Sequence, residues 1–167
     1  VDVVVALDVS RSMLAEDTKP NRLARAKYQI SALLERLEGD RVGLVLFAGQ
    51  AFVQCPLTFD YGAIQLFLDI VDTNAIPVQG TAIGDAIRIA SRSFDEDDQQ
   101  HKVIVLFTDG EDLVSEPLKA AETATATGVR IFAVGLGTAM GELIPVGDGK
   151  DVGYHKDSQG NYVKTRL

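Results

Sequence analysis

Val1-Asp2-Val3-Val4-Val5-Ala6-Leu7-Asp8-Val9-Ser10-Arg11-Ser12 opens the chain, and its two halves have opposite characters. The first is a β-branched apolar run of the kind that makes a strand buried on both faces. The second sets three oxygen-bearing side chains, Asp8, Ser10 and Ser12, at alternate positions just past that strand. Working outward, two more apolar runs of five residues follow, at 44–48 and 103–107. Segments of helical period surround them: Leu23, Ala26, Ile30, Leu33, Leu34 and Leu37, then Ile64, Phe67, Leu68 and Val71, then Ile83, Ala86, Ile87, Ala90 and Phe94. Strands alternating with helices predict an α/β fold with a doubly wound, mainly parallel sheet.

The pattern predicts strands over 1–7, 41–47, 102–107 and 129–134, and a weaker helix, rich in Ala and Thr, over 115–127. Only Ala48-Gly49-Gln50 separates the second strand from residues 51–54, too little for a parallel crossover. That segment is expected to fold back as an antiparallel edge strand, limited in length by Pro56. Residues 1–137 read as the core of a single domain. Residues 138–167 are rich in glycine, carry the turn signals Asp148-Gly149 and Gly160-Asn161, and read as a hairpin-like extension of it.

Composition narrows the function. Sixteen Lys and Arg against 24 Asp and Glu leave a net charge of −8, which opposes any mechanism that neutralises a phosphate backbone, so no nucleic-acid partner is expected. No apolar run approaches the roughly 20 residues that cross a bilayer. The chain begins strand-like at Val1 with no initiator Met, as expected of a piece of a longer protein. Cys55 is alone, so no disulfide forms within the chain, and with no activating base nearby in sequence it is expected to be a packed or surface thiol.

In open α/β sheets ligands bind beyond the carboxyl ends of the strands. Three polar segments are expected to meet there: Asp8-Val9-Ser10-Arg11-Ser12, Gly80-Thr81 at the start of the third helix, and Thr108-Asp109-Gly110-Glu111-Asp112. Two carboxylates with three hydroxyls suit a hard divalent cation such as Mg²⁺. So few negative ligands would leave the ion electrophilic, and an open position could take a carboxylate from another molecule. Arg11 and Met13 are expected to face solvent beside the ion. Glu111 and Asp112 read as favourable charge near the start of the next helix, Asp85 as a helix-surface carboxylate or an orienting group, and the acidic run 95–98 as a solvated loop.

Taken together, Asp8-x-Ser10-x-Ser12, Thr81 and Thr108-Asp109-Gly110 resemble the metal-ion-dependent adhesion site of von Willebrand factor A domains. The resemblance implies that Asp8 acts on the ion largely through water and that Ser10 and Ser12 bind it directly. Thr81 and Asp109 would sit on neighbouring loops, with the open or closed state deciding which of them binds directly. Mg²⁺ is the implied ion, with Mn²⁺ or Ca²⁺ as substitutes. Gly39-Asp40-Arg41-Val42-Gly43-Leu44-Val45-Leu46-Phe47-Ala48, Pro56-Leu57-Thr58 and Gly80-Thr81-Ala82-Ile83-Gly84-Asp85-Ala86 further resemble the bacterial aerotolerance BatA/BatB type, as do Gly141-Glu142-Leu143-Ile144-Pro145-Val146 and Lys156-Asp157-Ser158-Gln159-Gly160. That type implies a full-length protein held at the inner membrane by flanking helices, with this domain facing periplasm or cytoplasm. Its implied partners are other Bat-type proteins in a complex linked to stress or aerotolerance. Since such domains continue with one more helix and strand, the extension is expected to be truncated before them, leaving an unpaired sheet edge.

Other functions fit less well. A Mg²⁺-dependent phosphohydrolase could use Asp8 as nucleophile, but the haloacid-dehalogenase pattern needs a second Asp where Ser10 stands, and His101 and His155 lie outside the strand-end loops. Nucleotide binding lacks both a Gly-x-Gly-x-x-Gly turn and a P-loop lysine near Gly80-Thr81. The expectation is a non-enzymatic interaction module in which Asp8→Ala abolishes Mg²⁺ binding and changes folding little.

Overall fold

Asp2–Asp8 (β1) is buried along its whole length, and its side chains divide by the period of two between separate cores. Val3, Val5 and Leu7 pack with Leu23, Ala26 and Ile30 of α1 (Arg22–Leu34) and with Ile64 and Leu68 of α2 (Tyr61–Ile70). Val4 and Ala6 pack with Ile83, Ala86, Ile87 and Ala90 of α3 (Ile83–Arg92) and with Ala120 and Ala124 of α4 (Pro117–Ala126). β1 is interior to its sheet, with a parallel neighbour on each side. The computed structural model describes residues 1–95, 100–110, 112, 115–147 and 153–167; the acidic residues 96–98, Glu111 and the turn signal Asp148-Gly149 lie outside them.

The sheet joins β1 to β2 (Arg41–Phe47), β3 (Ala51–Thr58), β4 (Lys102–Thr108) and β5 (Arg130–Gly135) in the order β3-β2-β1-β4-β5. Every pairing is parallel except β2 with β3, so the expected doubly wound sheet with one antiparallel edge strand is what forms. The length of that edge strand differs from expectation. β3 runs through Pro56 to Thr58, with register shifts between Val42 and Leu44 and between Leu44 and Val45. An edge position and a local irregularity are the settings in which a missing amide costs a strand little.

Beyond β5 the chain makes two short antiparallel pairs: β6 (Glu142–Leu143) with β9 (Lys164–Thr165), and β7 (Pro145–Val146) with β8 (Gly153–Tyr154). The bridge from Lys156 to Tyr162 closes a second turn after β8, also inside the β6–β9 pairing. Both ends of this extension return to the sheet's carboxyl edge, where the Leu136 amide donates to the Thr108 carbonyl at 2.9 Å and the Leu167 amide to the Thr138 carbonyl at 3.2 Å. Parallel order does the rest. It sets Asp8 opposite Phe47 and Leu7 opposite Phe107, so the segments leaving β1, β2 and β4 start side by side.

Candidate metal centre

Asp8 is the last residue of β1 and has no exposure. Its Oδ1 accepts from the Ser10 amide at 2.9 Å, and its Oδ2 from the Thr108 hydroxyl at 2.7 Å. A 3₁₀ turn over Arg11–Leu14 then doubles the loop back, and the Ser10 and Ser12 Oγ atoms come within 2.9 Å of each other, both buried. Asp109, one residue past β4, is 1% exposed. Arg22 Nη1 donates to its Oδ2 at 2.9 Å, while its Oδ1 is buried without a hydrogen-bond partner.

Burial pushes the Asp8 carboxyl up to about 7; the negative charge of Asp109 adds to the rise, and the bonds from Ser10 and Thr108 oppose it. Two carboxylates are thus held near each other, the site disfavours the charge on Asp8, and one oxygen of Asp109 is unsatisfied. Such an orphaned acceptor costs about 1–3 kcal/mol. Among the described residues no three His, Cys, Asp or Glu side chains gather as a metal cluster, so a cation at this edge would draw on hydroxyls as well as on the two carboxylates. These oxygens fit a small hard cation.

Thr81 reaches the same edge by a separate route. The Gly49 amide donates to the Val78 carbonyl at 2.9 Å and the Ala82 amide to the Ala48 carbonyl at 2.6 Å, and Ala48 follows the Phe47 that pairs with Asp8. Glycine is required at 49, because a Cβ there would stand 2.5 Å from the Gln79 carbonyl oxygen and 2.8 Å from that of Val78. Gly49→Ala is therefore expected to push the Thr81 loop away and to cost about 1–3 kcal/mol in urea unfolding. An unchanged midpoint would show that the loop is not held by this approach.

Sequence reasoning missed Arg22, whose side chain is completely buried and pairs with both Asp109 and Asp17. The signal was present: Arg22 stands one turn before Ala26 and two before Ile30, on the apolar stripe of α1. Thr108 was quoted within its motif but given no role, and it holds Asp8. Met13, expected in solvent, is fully buried, because the 3₁₀ turn rotates it into the core with Leu7 and Ile30; Arg11 is exposed. Asp112 accepts from the Ser115 amide and hydroxyl, just ahead of α4, and, at 3.3 Å, from the Gly84 amide in the first turn of α3, so its charge stands near the start of both helices. Asp85 pairs with Arg88 at 2.7 Å on the surface. Cys55 is packed, and burial pushes its thiol up, away from reactivity.

A sequence profile of the von Willebrand factor type A domain matches residues 3–111. The chain belongs to that family. The A domain is of the BatA/BatB type: a conserved hypothetical BatB protein from Bacteroides thetaiotaomicron is 42% identical, with a TM-score of 0.95 over all of this chain and 80% of its own. An aerotolerance-related membrane protein from Bacteroides fragilis is 41% identical, with the same TM-score, over all of this chain and 82% of its own. Proximal thread matrix protein 1 from the mussel byssus, solved with zinc in its adhesion-site motif, is 26% identical with a TM-score of 0.69, over 80% of this chain and 35% of its own. The A domain spans less than half the length of its curated relatives, 41% of one and 45% of others. Among the described residues no helix is long and apolar enough to cross a membrane.

Proposed function

We propose that this A domain is a Mg²⁺-dependent protein–protein interaction module. In this reading Asp8, Ser10, Ser12, Thr81 and Asp109 hold the ion, and an Asp or Glu of a protein partner completes its coordination. The observation that carries it is the buried Asp109 Oδ1, which has no partner and shares the sheet edge with the buried Asp8 and the paired serine hydroxyls. A bound cation supplies positive charge to Asp8 and a partner to the Asp109 Oδ1 that Arg22 leaves free, and it keeps enough electrophilic character to attract a third carboxylate. Mn²⁺ or Ca²⁺ can stand in for Mg²⁺ on the same oxygens.

The geometry favours binding over hydrolysis. A nucleophilic Asp must be reached by its substrate, whereas the Asp8 side chain lies wholly beneath the surface, where a small ion or its water reaches it more readily than a phosphate ester does. In the same reading its partners are other Bat-type proteins, in an assembly at the bacterial inner membrane linked to stress or aerotolerance, with the domain on the periplasmic or the cytoplasmic side. The names of the Bacteroides relatives, BatB and an aerotolerance-related membrane protein, support the Bat type and a membrane setting. Residues 138–167 belong to the same domain as its extension.

Thermal unfolding tests the metal reading. Excess Mg²⁺ added after EDTA is expected to raise the midpoint by about 5–10 °C, since a ligand at a hundred times its Kd adds about 2.7 kcal/mol and each kcal/mol moves a domain of this size by roughly 2–4 °C. Superimposable curves with Mg²⁺ and with Mn²⁺ would remove the reading.

A further inference from the structure

The Arg22 guanidinium spends all of its donors on two loops and the extension. Nε and Nη2 give a fork to Asp17, at 2.9 Å to Oδ1 and 2.7 Å to Oδ2. Nη1 divides between Asp109 Oδ2 and Thr165 Oγ1, each at 2.9 Å, and Nη2 also reaches the Thr165 carbonyl at 3.2 Å. The Thr165 hydroxyl in turn lies 3.5 Å from Asp109 Oδ2, to which it donates. Both ends of the extension close over this group. A Cβ on Gly137 would stand 2.9 Å from the guanidinium, a Cβ on Gly141 would stand 2.3 Å from the Thr165 carbonyl oxygen, and the Thr138 amide donates to Asp17 at 2.8 Å.

We propose that Arg22 is a positioning residue for the metal site and makes the affinity of that site depend on the docked C-terminal extension. The proposal rests on the metal reading given above. By gripping Oδ2, Arg22 orients Asp109 and leaves Oδ1 as the free acceptor; Thr165 holds the same Nη1 beside Asp109, and its carbonyl holds Nη2. Charge points the same way. Asp8, Asp17 and Asp109 with Arg22 sum to −2 when all are ionised, which a divalent cation neutralises. Groups that orient a metal ligand are worth roughly tenfold or more in affinity. Because coupling is reciprocal, the ion must hold the extension in place by the factor by which the extension favours the ion.

The test is Mn²⁺ affinity by titration calorimetry, read beside amide hydrogen exchange of residues 138–141 and 163–167, for wild type, Thr165→Val, Thr165→Ser and Arg22→Lys. Thr165→Val is expected to bind Mn²⁺ about tenfold more weakly, Thr165→Ser to recover most of that loss, and Arg22→Lys, which keeps charge but not the fork, to lose more than Thr165→Val. Saturating Mn²⁺ is expected to slow exchange in the extension of wild type. A purely structural latch would speed exchange in Thr165→Val and leave Mn²⁺ affinity within twofold of wild type; that result overturns the proposal. Should Thr165→Val fail to fold, exchange in wild type decides, since extension amides unmoved by bound Mn²⁺ overturn it equally. Wild type that binds no Mn²⁺ would remove the metal reading and this coupling together, whereas failure of the coupling alone leaves wild-type binding intact.

Discussion

In EDTA at pH 8, Asp8→Asn is expected to unfold at a higher temperature than wild type, and Mg²⁺ is expected to leave its curve unmoved. The reason is the cost of ionising Asp8 where it sits. Its folded value, about 7, lies above its ordinary 3.8, so the folded protein binds this proton more tightly than the unfolded chain does. Stability of the metal-free protein from this group is therefore full below pH 4 and falls as pH rises from about 4 to about 7. The whole cost above pH 7 is on the order of 4 kcal/mol, at about 1.4 kcal/mol for each tenfold change in acidity. Asparagine removes the charge but spoils one contact: its Oδ1 still accepts from the Ser10 amide, while an NH₂ replaces the oxygen that took the Thr108 hydroxyl. A net gain of about 1–2 kcal/mol, or roughly 2–8 °C, is the expected result. Alanine is a poorer probe than the sequence suggests, because it leaves both donors unpaired. In wild type the Mg²⁺-induced rise should be larger at pH 8 than at pH 6, since the ion needs the carboxylate charged. An Asp8→Asn midpoint several degrees below wild type in EDTA would mean that Asp8 is a structural anchor, not a strained ligand.

That a buried group should weaken its own fold separates what was legible in the sequence from what was not. Local spacing offered Asp8, Ser10 and Ser12 as candidates, and the rule that ligands gather at strand ends added Thr81 and Asp109 without any distance being known. The sheet was legible because 3–7 is apolar on both faces and the helical stripes are regular. The errors came where periodicity has no hold. Met13 sits in a 3₁₀ turn too short to show a period, and Pro56 reads as a stop only if its strand needs the missing amide, which an edge strand does not. Arg22 differs: its place on the apolar stripe of α1 signalled burial, but a charge at the head of a helix is usually solvated. Two of its partners, Asp109 and Thr165, lie 87 and 143 residues further along the chain, where no local pattern could name them.

Arg22→Met carries the largest expected loss of stability. The guanidinium, Asp17 and Asp109 are all buried, their side chains 0%, 5% and 0% exposed, so removing the cation strands two carboxylates that together took three of its bonds. Breaking a buried pair from one side costs about 3–5 kcal/mol, more than the packing of a methionine returns. Urea unfolding at pH 7 in EDTA should show a loss in that range. Acid should narrow it. The hydrogen bond from Arg22 holds Asp17 at about 2, below its ordinary 3.8, with the Thr138 amide assisting against the opposing effect of burial. A lowered folded value means that wild type has this stability in full above pH 4 and loses it as pH falls through about 2. The variant has no cation to lose, so protonating Asp17 relieves it. The gap between the two proteins should therefore shrink steadily from pH 4 to pH 2. A gap that stayed constant across that window would assign the loss to packing of the long side chain, and the ion pairs beneath the strand-end loops would then contribute little to holding the extension against the sheet.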